Sequence, residues 1–210
     1  MNDFDFLHGS WDVANRRLTA PLGSGPATWV EFSGHAVVRP LFGGAGNIDE
    51  ITFPTLGRQG VTLRLFDHET GRWSIHWSDS RTGRPDPPVV GGFTGDRGDF
   101  HGEDTYDGRP IGVHFTWYRL GRLFWILSAE PAASGAVDGK AEVRAVYWTY
   151  SGAPTTRPGA VPGVAGPARS GRDGLGPDTA RWEHEFSADG GRTWELNWTM
   201  DLTRTGHVGA

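Results

Sequence analysis

The sequence predicts an all-β fold, a single closed antiparallel β-barrel of about eight to ten strands, and three observations predict it. Gly contributes 32 and Pro 14 of the 210 residues, more than a fifth of the chain against an average of roughly 12%. A chain interrupted so often cannot sustain long helices, because these two residues are the worst helix formers. Apolar and polar residues alternate at period two in segment after segment. Finally, Asp107-Gly108 and Asp189-Gly190-Gly191 each stand between two such segments, where tight hairpins require positive φ. Successive hairpins make a meander, and a meander of eight or more strands must close or stack to hide its edges.

The elements follow in order. Trp11, Val13, Asn15 and Arg17 share one parity of a first strand, and residues 29–41 read as a long strand kinked at Gly34. Val61, Leu63 and Leu65 alternate with Thr62, Arg64 and Phe66, before a turn at residues 68–71. Trp73, Ile75 and Trp77 alternate with Ser74, His76 and Ser78, and a loop holding Pro85, Pro87 and Pro88 ends that pattern. Residues 100–106 pair with 111–117 across Asp107-Gly108, and residues 182–186 with 194–202 across the second turn. Residues 123–127 and 143–150 look like further strands. Residues 151–180 hold seven Gly and five Pro but only Val161, Val164 and Leu175 as large apolar side chains. That stretch cannot bury enough surface to fix itself, so it is expected to be a mobile loop. It belongs to an insertion over about 118–180 within a single domain, 1–210.

Bulk properties exclude several classes. The net charge of −5 and a pI near 5.9 disfavour nucleic acid, which wants a basic patch; Lys140 is the single lysine. With no cysteine, disulfides, thiolate metal sites and a Cys nucleophile are excluded together. The acidic N-terminus lacks the pattern of a signal peptide, and the longest apolar run, residues 123–127, is too short to span a bilayer. A soluble, cytoplasmic protein without membrane partners is the expectation.

Gly9-Ser10-Trp11 opens the first strand and Arg204 ends the last. In a closed barrel these strands are neighbours, so the guanidinium can stack on the indole and cap the barrel floor. This arrangement resembles the calycins, the lipocalin and fatty-acid-binding barrels. Longer motifs run through residues 4–13 (FDFLHGSWDV), 44–51 (GAGNIDEI), 63–67 (LRLFD), 73–80 (WSIHWSDS), 86–91 (DPPVVG) and 185–198 (EFSADGGRTWELNW). Together they resemble a widespread bacterial family related to the DUF1579 group, over residues 3–117 and 180–204. The resemblance implies a lipocalin-like barrel and neither a reaction nor a cofactor. The chain departs from it at residues 118–179, where similar proteins use a short turn.

Polar residues on the apolar parity are the anomalies. Asn15 and Arg17 follow Trp11 and Val13, and Asp49 shares parity with Ile51 and Phe53. Asp79 shares parity with Trp77, Asp104 with Phe100, and His184 with Trp182 and Phe186. Buried unpaired groups are costly, so these are expected to pair with one another or with a ligand. One reading makes His184 with Asp79 or Asp104 a catalytic acid–base pair, since desolvation raises a carboxyl pKa toward neutrality. The other makes them caps at strand ends. Arg39 and Arg64 either hold an anion or pair with Glu31, Asp49 or Glu50. His76, His101 and His114 fall on the opposite parity and are expected in solvent. Without a ligand spacing such as HExxH, no metal or cofactor is expected, and neither a phosphate loop nor a nucleophile elbow occurs.

The leading functional reading is a small apolar or aromatic molecule bound in a Trp-lined cavity, contacted by Trp77, Trp117, Trp198, Arg17, Asn15 and Asp49. Beside it stand an enzyme on the same scaffold, isomerising or cyclising such a molecule by acid–base catalysis, and an interaction protein whose Trp residues merely fill the core.

Overall fold

The computed structural model describes residues 2–120 and 179–207. Among the described residues ten strands form the fold: β1 Gly9–Leu18, β2 Trp29–Leu41, β3 Gly46–Phe53, β4 Arg58–Asp67, β5 Arg72–Asp79, β6 Val89–Thr94, β7 Arg97–Tyr106, β8 Arg109–Leu120, β9 Thr179–Ser187 and β10 Glu195–Gly206. Each pairs antiparallel with the next, and β10 returns to β1, closing the barrel. Closure leaves no free edge among the described strands. The expected calycin-like, all-β barrel is the fold observed. At the β7–β8 hairpin, Asp107 (φ 48°) and Gly108 (φ 74°) take the positive φ that a tight turn needs. The expected strands at 123–127 and 143–150 lie outside the described residues, as does nearly all of the expected 118–180 insertion with its mobile loop. Its edges are corrected, because residues 118–120 belong to β8 and 179–180 to β9, where they continue the pairing of the two strands. Among the described residues, no helix is long and apolar enough to cross a membrane.

Parity sorts the side chains as expected. Trp11 and Val13 of β1, Ala36 and Val38 of β2, Trp73 and Ile75 of β5, and Trp182 of β9 are buried inside the barrel. The end of the barrel where β1 begins is its floor, and the N-terminal segment fills it. A short 3-10 turn, Asp5–Leu7, folds the chain inward so that Phe4 is 1% exposed. Phe4 meets Trp73 and Phe93 edge-to-face at 5.0 Å each and stacks on Phe100 at 5.6 Å. Such pairs add about 0.5–1.5 kcal/mol each beyond the area they bury.

Two indoles of the floor find acceptors there. The Trp11 indole N–H donates to the Leu7 carbonyl at 2.7 Å, and the Trp73 indole N–H donates to Asp3 at 3.0 Å. Arg204 lies 4.1 Å above the Trp11 ring and donates to the carbonyls of Phe6 and His8, so the expected cap is present. Gly9 is required beneath it: its φ is +131°, and a Cβ there would lie 2.4 Å from the Gly206 carbonyl oxygen. Higher in the lumen, buried Arg64 donates from Nη1 to Asp49 at 2.6 Å and to Asn47 at 2.9 Å. Its guanidinium packs 5.3 Å from Phe4 and 5.1 Å from Trp117. Of the two readings of Arg64, pairing with Asp49 is the one realised.

Candidate functional site: the barrel mouth

The opposite end is built differently. The end of β1, the starts of β2 and β4, and the ends of β7 and β9 surround a cavity of about 360 Å³. That volume falls at the small end of the range typical of ligand pockets, about 300–1,000 Å³. Phe32, Tyr106, Phe186, Leu18 and Pro21 supply apolar wall, with Val30 and Leu56 exposed at the rim. Arg17, Arg58, Arg81, His184 and Asn197 supply the polar lining. Asn197 is there because β10 carries a bulge: the pairing of Leu196 with Glu185 is followed by that of Trp198 with His184, leaving Asn197 unpaired. Bulges re-aim side chains in this way and recur next to functional sites.

His184 lies on the inner face of β9, caged by Phe115 at 4.9 Å, Phe186 at 4.7 Å and Trp182 at 5.5 Å. Both ring nitrogens are buried, and none of the described residues offers either a hydrogen bond. Burial, reinforced by the positive charge of Arg17 and by His114, lowers its pKa from 6.5 to about 3. The ring is therefore neutral at pH 7, with one N–H donor and one lone-pair acceptor unanswered. Each such group costs about 1–3 kcal/mol.

Arg17 is the second unanswered group. Its guanidinium lies 4.7 Å over the Trp198 ring, and among the described residues neither an ion pair nor a hydrogen bond engages it. Trp198 is fixed from below, where its indole N–H donates to Asn15 Oδ1 at 3.0 Å and Asn15 Nδ2 donates to the Val13 carbonyl at 3.3 Å. Asn15 thus positions the platform on which Arg17 rests. Burial, with Arg58 and Arg81 nearby, lowers the Arg17 pKa against weaker support from Tyr106 and Asp79. Arg58 and Arg81 do have a partner. Arg58 donates to Asp79 at 3.2 Å, while Arg81 reaches the same carboxylate through its backbone N–H at 2.9 Å and its guanidinium at 3.2 Å. Burial pushes the Asp79 pKa up, but those hydrogen bonds and the two cations hold it below the usual value.

The expected acid–base pair is not formed. His184 hydrogen-bonds neither Asp79 nor Asp104, because Asp79 is turned to its arginines and Asp104 accepts the Thr105 backbone N–H at 2.7 Å. Of the expected ligand contacts, Arg17 lines this cavity. Trp198 and Asn15 support it from beneath, Trp117 and Asp49 belong to the packing around Arg64, and Trp77 lies across β4. A Cβ on Gly60 would come within 1.9 Å of the Trp77 ring, so this glycine is what lets the indole lie flat there. Phe and Tyr rather than Trp therefore wall this cavity. Three of the indoles with buried N–H groups find their acceptors outside it, at Leu7, Asp3 and Asn15.

Sequence parity missed two features. Arg58 and Arg81 were not singled out, although both sit beside the strand ends that carry Asp79. His114 is on the outer face as expected yet is 8% exposed. Trp194, from the β9–β10 turn, packs 5.4 Å from it, His101 stacks on it at 4.2 Å, and Glu185 and Asp99 bond its nitrogens at 2.8 and 3.0 Å. Among the described residues, no group of three or more His, Asp or Glu is placed to hold a metal ion. No family model matches the chain, and no curated protein matches it.

Proposed function

We propose that the protein binds a small, largely apolar or aromatic molecule in the mouth of its barrel. The observation that carries this reading is His184: a half-buried ring with two buried, unanswered nitrogens, lining a cavity of about 360 Å³. Buried polar atoms in folded proteins are almost always satisfied, and a ligand is the simplest partner for these. The aromatic wall suits a flat apolar body. Binding is favoured over acid–base catalysis, because a histidine held near pKa 3 is a weak base at neutral pH and Asp79 is committed to two arginines.

Intrinsic fluorescence tests the reading, since Trp198 and Trp182 lie directly behind the cavity. A screen of aromatic and alicyclic compounds is expected to contain members that quench saturably. That quenching is expected to disappear when the rim is blocked by Val30→Trp. A flat response throughout the screen overturns the proposal.

A further inference from the structure

The mouth carries a charge pattern that the apolar wall does not explain. The chain as a whole is negative, at −5, yet three arginines surround the cavity and Asp79 is the carboxylate that answers them. Asp79 accepts its hydrogen bonds from Arg58 and Arg81 and reaches Arg17 only through space. Glu195, at the same end, is turned away to accept the Leu22 backbone N–H. Neither Asp86 nor Asp104 bonds Arg17 among the described residues; burial, with Asp104 and Asp79, raises the Asp86 pKa.

We infer that the ligand bears an oxyanion group, a carboxylate or a phosphate monoester, seated on the Arg17 guanidinium, with its apolar body against Phe32, Phe186 and Tyr106. The inference rests on the binding function proposed above and names its ligand class. Stacking on Trp198 holds the guanidinium plane while leaving its N–H edge available, and a fixed fork of donors matches a planar or tetrahedral oxyanion bidentately. Neutral His184 adds one N–H that can donate to the same group. A cationic ligand is opposed by all three arginines.

Calorimetric titration of the whole protein with four matched probes tests this: 1-naphthoate, 1-naphthyl phosphate, 1-naphthamide and 1-naphthylmethylamine. At least one anion is expected to bind roughly tenfold or more tightly than the amide, as a charge-assisted bond implies, with the amine weakest. The better of the two anions assigns the group as carboxylate or phosphate. In Arg17→Met, which keeps the stem that covers Trp198, anion and amide are expected to bind equally, whereas Arg17→Lys keeps part of the preference. Equal affinities of anions and amide in the wild type overturn the inference and leave the cavity-binding function standing. Binding of none of the four overturns both. A preference that survives Arg17→Met overturns the assignment to Arg17. Should the Met variant fail to fold, the wild-type comparison of anion with amide still decides.

Discussion

The two ends of the barrel use the same materials, arginine and aromatic rings, to opposite effect. At the floor Arg204 stacks on Trp11 and gives its N–H groups to two backbone carbonyls, and Phe4 fills the lumen. At the mouth Arg17 stacks on Trp198 and gives its N–H groups to none of the described residues, and a cavity remains. A cation–π contact orients a guanidinium in both places, but hydrogen bonds to two backbone carbonyls make it a structural pin at the floor. An oriented, unpaired cation beside empty space is instead what a binding site requires. The floor supplies stability that the mouth does not have to.

The contrast can be broken most severely at the floor. Phe4→Ala removes a ring packed on five aromatic neighbours, and is expected to cost about 3–5 kcal/mol in urea unfolding while leaving affinity at the mouth unchanged. Asp49→Ala strands the buried Arg64 guanidinium and is expected to cost about 3 kcal/mol. If Arg64→Met added to it recovers much of that loss, the pair is confirmed as structural. If either variant abolishes ligand binding while the protein stays folded, the division into two ends fails.

At the mouth the expected effects depend on pH. His184 titrates near 3 in the folded protein against 6.5 as its ordinary value. Between these values the unfolded chain takes up a proton that the native state refuses. The contribution of His184 is therefore intact above pH 6.5, and stability falls by about 1.4 kcal/mol per pH unit as pH drops toward 3. His184→Phe is expected to remove this component, so the wild type loses ground to the variant steadily between pH 6.5 and 4. Parallel stability curves for the two proteins would contradict the burial of a neutral imidazole. The smallest effect is expected from Arg17→Met, within about 1 kcal/mol of the wild type, because it removes a cation–π contact together with the cost of an unpaired charge.

Much of the barrel was readable in the sequence because its rules are local. Period-two alternation put Asn15, Arg17, Asp49, Asp79, Asp104 and His184 on inward parities, and the Asp107-Gly108 turn followed from its φ requirement. Which inward groups meet is not local. Asp49 finds Arg64 across the β3–β4 ladder, whereas His184 finds no carboxylate, and both outcomes depend on how ten strands stagger around the barrel. Parity also says nothing of what lies above a face. Trp194 shields His114 from outside, and the segment carrying Phe4 and Phe6 plugs the lumen, although neither belongs to a strand.

The most direct test follows the indole N–H resonances of the ten tryptophans while 1-naphthoate is titrated in, with Trp198→Phe, Trp11→Phe and Trp73→Phe supplying assignments. The Trp198 N–H, bonded to Asn15 beneath Arg17, is expected to shift saturably with the ligand. Those of Trp11 and Trp73, bonded to Leu7 and Asp3 at the floor, are expected to stay in place. Shifts at the floor indoles with none at Trp198 would contradict the account.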